Sequence, residues 1–246
     1  MAADPAFRRD ALRGWLKDLP GHARREDVPP ELEVDIGLGR SRRVALKLPR
    51  GYSPGRAWPL IYALHFSGGN GPQFIARVEQ MLGERAQDFV LAAPSDHRQT
   101  GLDAPPPFTA DHLAILRAVR QAVHVDAGRQ YALGYSLGGY AAWAVACLHA
   151  DELAGAAPLA AAGGCLPVGE DGLWRALLPN LQGLPILHVW GERDTLVVRG
   201  LDGQPMGGIA ELNRQLKKLS KGLLPRVDQV GLPGPGHYDV TPPLDS

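Results

Sequence analysis

The chain has 246 residues, of which 45% are hydrophobic and 21% charged, and its Lys+Arg and Asp+Glu counts are both 26. These proportions are typical of a folded globular protein, and the length suits one domain with a substantial core. A formal net charge of zero provides no basic surplus for nucleic acid or anionic lipid, so we expect neither as a partner. An uncharged small-molecule substrate meets no electrostatic opposition.

No stretch of the sequence resembles a transmembrane helix. The most apolar region, residues 153–168, is interrupted by glycines and a proline and is too short to cross a bilayer. The N-terminus has no apolar signal core, because charged side chains interrupt residues 7–15. This favours a cytoplasmic location, and the sequence leaves open the alternative that a signal was removed before the present numbering.

The first predicted element is an amphipathic helix over residues 4–19. Asp4 is a suitable N-cap, Pro5 fits the first helical position, and a Pro-Gly pair follows the pattern at residues 20–21. One side of the helix carries an apolar stripe that consists of Phe7, Ala11, Leu12, Trp15, Leu16 and Leu19. We therefore expect residues 1–30 to be an N-terminal helical extension of a single catalytic domain, residues 31–246.

Beyond this extension, apolar strands alternate with helices. Strands are predicted at residues 32–36, 43–48, 59–64, 88–93, 130–134, 155–161, 184–190 and 227–232, and helices at residues 73–85, 109–123, 137–149 and 208–219. This alternation is typical of an α/β fold, in which helices cover both faces of a mostly parallel sheet. Ligands of such folds bind at the carboxyl ends of the strands.

The most informative motif is Gly-Tyr-Ser-Leu-Gly at residues 134–138, between a predicted strand and a predicted helix. A serine on so tight a turn has a strained backbone and an exposed hydroxyl, and the turn needs small residues two positions to either side. Gly134 and Gly138 meet that need. The pattern alone is weakly specific, but its place between strand and helix favours Ser136 as a catalytic nucleophile.

A serine hydroxyl needs a base to take its proton and an acid to orient that base. In this type of turn the chain order is serine, then acid, then histidine. Asp194 follows the strand at residues 184–190, and His237 follows the last strand in a glycine-rich loop. We therefore predict a Ser136–Asp194–His237 triad, with Glu192 and Asp202 as competitors for the role of the acid.

The loop after the first buried strand, residues 65–71, has the sequence His-Phe-Ser-Gly-Gly-Asn-Gly. Such a loop can present a backbone N–H group to an oxyanion, together with the N–H group of the residue after the nucleophile, Leu137. Ser67 is the first choice for the donor in the loop and Phe66 the second. His65 is expected to stabilise the loop by hydrogen bonding.

Other patterns carry no prediction of a site. Residues 95–97, Ser-Asp-His, contain all three triad types, but neighbours in an extended segment point to opposite sides. The sequence has no phosphate-binding or dinucleotide-binding glycine motif and no zincin motif. Cys147 and Cys165 form no Cys-x-x-Cys pair, so no metal site is expected. They are predicted to be free thiols, because the helix separates them by roughly 16 Å.

Taken together, residues 134–139, 65–69, 191–194 and 236–237 resemble the α/β-hydrolase superfamily. The similarity is to its compact esterases, those like phospholipase/carboxylesterases, dienelactone hydrolases and polyhydroxybutyrate depolymerases. It covers roughly residues 43–238. The resemblance implies a mostly parallel sheet of eight or fewer strands, no cofactor, and acyl transfer to water through an acyl-enzyme.

One departure from the family pattern concerns the oxyanion loop. The family usually has His-Gly where this chain has His65-Phe66, and the bulky ring could narrow the acyl pocket or shift the oxyanion donor. Residues 164–183 leave room for a small cap only. Residues 199–207 are expected to be a loop at the rim of the site.

The predicted function is hydrolysis of a carboxylic ester by a serine esterase, with a small-molecule ester as the partner. Phe66, Tyr135 and Trp190 lie near strand ends and are candidates for the substrate pocket. Alternatives are an acyltransferase, a small serine peptidase of the same fold, and a non-catalytic binding protein. The sequence does not determine the acyl or alcohol group, or the oligomeric state.

Overall fold

A computed structural model of the protein describes residues 26–95, 108–163, 178–199, 204–220 and 226–241. The helix predicted over residues 4–19 lies outside these ranges, as do Asp202, Cys165 and most of the predicted cap. Cys147 is buried as a free thiol. Among the described residues, no helix is both long and apolar enough to span a membrane.

Eight strands form one central sheet in the order β1-β2-β4-β3-β5-β6-β7-β10. The strands of this sheet are β1 (Glu31–Gly37), β2 (Arg40–Lys47), β3 (Trp58–Leu64), β4 (Val90–Pro94), β5 (Val125–Tyr135), β6 (Gly155–Leu159), β7 (Ile186–Gly191) and β10 (Val227–Leu232). Strand β2 pairs antiparallel with both of its neighbours, and every other pairing is parallel. The predicted α/β fold with a mostly parallel sheet is confirmed.

Four helices are described: α1 (Gly71–Leu82), α2 (Phe108–Ala122), α3 (Leu137–Leu148) and α4 (Ile209–Leu219). Helices α2 and α3 bury their apolar sides in a core on one face of the sheet, and α1 buries its own on the opposite face. Each helix covers the apolar side chains of the strands beneath it. The sheet is therefore enclosed by helices on two sides, as the alternating pattern indicates.

Two local features differ from the sequence prediction. Helix α1 begins at Gly71 and not at residue 73, because the Asn70 side chain accepts a hydrogen bond from the Gln73 N–H group at 3.0 Å. Residues 199–207 are not simply a loop, since β8 (Val197–Arg199) and β9 (Pro205–Gly208) form a small antiparallel sheet. Strands of three and four residues are too short to show an alternation that a sequence pattern could detect.

Two buried histidines are held neutral within the fold. His112 is 3% exposed and accepts a hydrogen bond from the Tyr62 hydroxyl at 2.7 Å. His188 is fully buried and donates from Nε2 to the Ala161 carbonyl at 2.9 Å. Burial lowers the pKa of each histidine to about 4, with the nearby His149 adding to the effect on His112.

These two histidines predict a loss of stability in acid. A group whose pKa is lower in the folded state binds its proton mainly in the unfolded chain. The contribution of each histidine to the free energy of unfolding is therefore complete above pH 6.5 and is lost as the pH falls towards 4. We expect each to change the unfolding equilibrium by up to about tenfold per pH unit in that window, measured by urea denaturation.

The matched variant for this test is His188→Gln, which keeps a side-chain N–H donor for the Ala161 carbonyl. It should reduce the pH slope of the unfolding free energy by the share of one histidine. Burial raises the pKa of Asp111, so its effect on the pH dependence of stability is opposite to that of the histidines. Because this effect is present in the parent and in the variant, it cancels when their slopes are compared. Equal slopes for the parent and the variant would contradict the prediction for His188.

Candidate active site

The turn from β5 to α3 places Ser136 above the carboxyl end of the sheet. Its backbone has φ 54° and ψ −116°, a strained conformation for a residue with a side chain. A Cβ atom at Gly134 would lie 1.9 Å from the Gly138 carbonyl oxygen, and one at Gly138 would lie 1.8 Å from the Leu64 carbonyl oxygen. The close approach of three backbone segments thus requires glycine at both positions.

The structure brings the three predicted triad residues into one hydrogen-bonded chain. Ser136 Oγ lies 2.8 Å from His237 Nε2, and His237 Nδ1 lies 2.7 Å from Asp194 Oδ2. The Asp194 side chain has no exposed surface, and that of His237 is 10% exposed. A buried carboxylate beside Nδ1 holds the proton on that nitrogen, which leaves Nε2 free to accept the serine proton.

Neighbouring strand ends bring Asp194 and His237 together. Asp194 follows β7 and His237 follows β10, and these two strands pair in parallel. The Asp194 carboxylate also accepts the Leu196 N–H group through Oδ1 at 3.1 Å. A Cβ atom at Gly191 would lie 2.3 Å from the Pro235 carbonyl oxygen, so this glycine lets the histidine loop pass close to β7.

Glu192, a competitor of Asp194 for the role of the acid, has a different partner in the structure. The Glu192 carboxylate pairs with the Arg214 guanidinium at 2.5 Å, and about a third of its side chain is exposed, at 30%. It is therefore engaged on the protein surface by a helix α4 residue. Asp202, the other competitor, lies outside the described residues.

Tyr135, the residue before the serine, contacts the histidine loop. Its hydroxyl donates a hydrogen bond to the His237 carbonyl at 2.5 Å and accepts one from the Val240 N–H group at 3.4 Å. The Arg77 guanidinium lies over the Tyr135 ring at 4.3 Å from its centroid and also donates to the Tyr238 carbonyl at 3.3 Å. Burial raises the pKa of Tyr135, which keeps its hydroxyl protonated as a donor.

Two of the three residues predicted for the substrate pocket, Tyr135 and Trp190, are buried. Tyr135 is 3% exposed and Trp190 is 1% exposed, so neither offers surface to a substrate. Trp190 packs in a small core with Val198 and Ile209, behind the site. Both were expected in the pocket because they end strands, but residues at strand ends alternate between the two faces, and these two face the interior.

The predicted oxyanion loop forms a turn next to Ser136. The Phe66 carbonyl accepts the Gly69 N–H group at 3.0 Å and lies 2.6 Å from Nδ1 of the buried His65. His65 thus fixes the loop, as expected. The half-buried Phe66 ring packs against Phe74 of α1 at 6.4 Å between centroids, and Ser67 is exposed.

The second predicted oxyanion donor is the N–H group of Leu137. Leu137 is the first residue of α3, and N–H groups in the first turn of a helix have no partner within the helix. The positive end of the helix dipole also lies here. Negative charge that develops beside Ser136 would therefore be stabilised.

An apolar rim, as we call it, is formed by four exposed side chains on the segments after Asp194 and His237 and on β9, which pairs with β8. It consists of Leu196, Val197, Met206 and Tyr238, whose exposed fractions lie between 49% and 78%. Leu196 and Val197 follow Asp194 closely, and the Tyr238 ring lies 5.1 Å from that of His237. Within the described ranges, no group of three or more His, Cys, Asp or Glu side chains is arranged to hold a metal ion.

Sequence comparison finds relatives among fungal esterases. Over 207 residues, the chain is 26% identical to a probable feruloyl esterase C of Aspergillus clavatus, covering 78% of this chain and 76% of the relative. It is 30% identical to feruloyl esterase C of Emericella nidulans over 128 residues, and this match spans about half of each protein, 50% and 47%. No family model matches the chain.

Solved structures of esterases share the fold at low sequence identity. Est1E from Butyrivibrio proteoclasticus has a TM-score of 0.58 at 17% identity, over 86% of this chain and 92% of its own. A ferulic acid esterase has a TM-score of 0.63 at 14% identity, over 84% of this chain and 89% of its own. The chain therefore has the α/β-hydrolase fold, as its motifs predict. The relatives reported above are named feruloyl esterases.

The glycine contacts predict which small change disrupts the turn. Gly138→Ala would place a methyl group against the Leu64 carbonyl, so we expect a loss of more than about 3 kcal/mol of unfolding free energy, since backbone must move. The control is Gly183→Ala, where a Cβ atom meets nothing within 4 Å. Urea denaturation measures both. Equal stabilities of the two variants would show that the turn tolerates a larger residue.

Proposed function

We propose that this chain is a serine hydrolase that cleaves carboxylic esters through an acyl-enzyme on Ser136. The observation that carries the proposal is the continuous hydrogen-bonded chain from Ser136 through His237 to Asp194. A nucleophile, a base and a buried acid in this order have a defined chemical use in acyl transfer. The likeness to proteins named feruloyl esterase supports the same reaction class.

In the proposed reaction, His237 Nε2 takes the Ser136 proton while Oγ attacks the carbonyl carbon of the ester. The tetrahedral intermediate collapses when the alkoxide leaves with the proton from His237, and the acyl group stays on Ser136. Water then attacks the acyl carbon, loses a proton to His237 and releases the acid, which restores the serine. Asp194 stabilises the positive charge that His237 carries twice in the cycle.

The oxyanion of both intermediates would be held by backbone N–H groups. Leu137 supplies one of them from the start of α3, and Ser67 supplies the other in the loop after β3, with Phe66 as the alternative. Donors fixed in the backbone need no rearrangement as the charge develops. Since the proposed Ser67 donor is a backbone group, its side chain is not required.

We propose that the acid part of the substrate is apolar or aromatic. The exposed rim formed by Leu196, Val197, Met206 and Tyr238 supplies apolar contact surface next to His237. Relatives named for feruloyl esters point to an aromatic acid. The substrate panel therefore includes methyl esters of hydroxycinnamic acids beside acetyl and longer aliphatic esters. We further propose residues 31–246 as the catalytic domain and residues 1–30 as its extension.

The first test is labelling with a fluorophosphonate probe, followed by mapping of the modified peptide. We expect labelling at Ser136, because an activated serine attacks the phosphorus atom, and loss of both labelling and esterase activity in Ser136→Ala. Asp194→Asn and His237→Gln should lower kcat by at least about 10³-fold. The matched control, Ser67→Ala, should retain both signals. A folded parent protein that resists the probe would contradict the proposal.

A second prediction concerns the hydroxyl that supports the histidine loop. Tyr135→Phe removes the hydrogen bond to the His237 carbonyl but keeps the ring beneath Arg77. We expect kcat to fall about tenfold with little change in KM, because the base is less well positioned and no substrate contact is lost. The control is Tyr238→Phe, at a side chain that is 78% exposed. Equal kcat values for Tyr135→Phe and the parent would show that the hydroxyl does not position His237.

A further inference from the structure

The buried side chain of Asn213 joins helix α4 to the segment that follows β6, residues 160–163, which we call the β6 turn. The Asn213 Oδ1 atom accepts the Gly163 N–H group at 2.7 Å, and its Nδ2 group donates to the Ala161 carbonyl at 2.9 Å. Asn213 has no exposed surface. Both ends of one side-chain amide are thus bonded to backbone groups of a single short segment.

The β6 turn is strained and closely packed. Ala160 has a φ of 48°, which is unfavourable for a residue with a side chain. The Ala161 carbonyl, besides its bond from Asn213, accepts the His188 Nε2–H group at 2.9 Å. A Cβ atom at Gly163 would lie 2.9 Å from His188 Cε1. The backbone groups that bond to Asn213 therefore have a well-defined place in the fold.

The β6 turn lies directly beside the turn that carries Ser136. The Leu159 carbonyl, at the end of β6, accepts the Ser136 N–H group at 2.9 Å. A Cβ atom at Gly139, in the first turn of α3, would lie 2.6 Å from the Leu159 carbonyl oxygen and 2.8 Å from Ala161 Cβ. A group that is bonded to the β6 turn is therefore placed relative to the proposed nucleophile.

The other end of the connection is the acid loop, residues 192–196, which α4 contacts through its first turn. The Ala210 N–H group donates to the Asp194 carbonyl at 3.0 Å, and the Ile209 N–H group donates to the Leu196 carbonyl at 3.0 Å. Ala210 and Asn213 are three residues apart, so they lie on the same side of the helix. This side of α4 thus bonds to the acid loop through its backbone and to the β6 turn through Asn213.

Asn213 gives α4 a directional contact with the β6 turn. The ion pair of Arg214 with Glu192 also joins α4 to the acid loop, but its side chains are 52% and 30% exposed, and exposed ion pairs contribute little. Ile209 and Leu216 pack in apolar cores, and apolar burial stabilises without a preferred direction. Two hydrogen bonds from a buried amide fix both distance and orientation.

We infer that Asn213 is a positioning residue for the proposed triad, since it holds α4, and with it the acid loop, in place beside the turn of Ser136. The inference rests on the proposed function, in which Asp194 stays bonded to His237 Nδ1. Removal of the amide takes the acceptor from the buried Gly163 N–H group, so α4 shifts and the acid loop shifts with it. A misplacement of about 1 Å can lower a rate on the order of 100-fold.

The test compares Asn213→Ala with Val119→Ala in the full chain, with p-nitrophenyl acetate as the substrate. Val119 is buried in the core beneath α2, so its variant loses stability without a change at α4. We expect Asn213→Ala to lower kcat at least about tenfold with KM nearly unchanged, and Val119→Ala to retain the parent's kcat.

Both variants are measured at a temperature at which circular dichroism shows each to be folded. If Asn213→Ala does not fold, Asn213→Ser replaces it, with the same fall in kcat expected because a hydroxyl is too short to reach both partners. Equal kcat values for the Asn213 variant and Val119→Ala would overturn the inference.

A second measurement follows the proton on His237 Nδ1 by NMR, because a strong hydrogen bond to Asp194 moves its signal far downfield. We expect this signal to shift or to be lost by exchange in the Asn213 variant and to stay in place in Val119→Ala. An unchanged signal in the Asn213 variant would overturn the inference even if kcat falls, since the acid would not have moved.

The two proposals fail in different ways. A parent protein whose Ser136 resists the fluorophosphonate probe contradicts the proposed function. A parent that is labelled and active, together with an Asn213 variant of unchanged kcat, contradicts the role of Asn213 alone.

Discussion

The candidate active site depends on one close backbone contact. Helix α3 begins so near to β3 and β5 that no Cβ atom fits at Gly134 or Gly138. This contact forces the strained backbone of Ser136, which directs the hydroxyl towards His237 and leaves the N–H group of Leu137 at the start of a helix. A strained conformation of this kind persists only where the surrounding structure holds it. Here the hydrogen bond from the Ser136 N–H group to the Leu159 carbonyl, at 2.9 Å, ties the turn to β6.

The histidine is held by a second set of contacts that the hydrophobic core supports. The buried Asp194 carboxylate bonds to the His237 ring, and the Tyr135 hydroxyl bonds to the His237 backbone carbonyl. Tyr135 belongs to the same turn as Ser136, so one turn carries both the serine and a hydrogen bond to the His237 backbone. Arg77 of α1 extends this support by contacting both Tyr135 and Tyr238. The two faces of the sheet thus contribute to one site at its carboxyl end.

The sheet and the serine turn could be predicted from the sequence because both depend on local patterns. Alternation of apolar strands and helices predicts the parallel sheet, and the Gly-x-Ser-x-Gly pattern predicts the turn, since both depend on residues close together in the chain. Ser136, Asp194 and His237 each follow a parallel strand. Because the carboxyl ends of parallel strands lie at the same edge of the sheet, the sequence predicts that the three side chains are close together. Pocket residues were predicted less well. Tyr135 and Trp190 were expected at a substrate surface, whereas they are buried, because the face to which a strand residue points depends on register.

The sequence by itself determined the class of fold, the tight turn at Ser136 and the residues that can form a triad. These follow from chain-local periodicity and from steric limits that a few neighbouring residues impose. Only the tertiary structure decided that Asp194 and not Glu192 contacts His237, that β8 and β9 pair, and that the Tyr135 hydroxyl bonds to the His237 carbonyl. Each of these depends on distances between segments far apart in the chain. Such distances are set by how the sheet twists and packs, which no local pattern records.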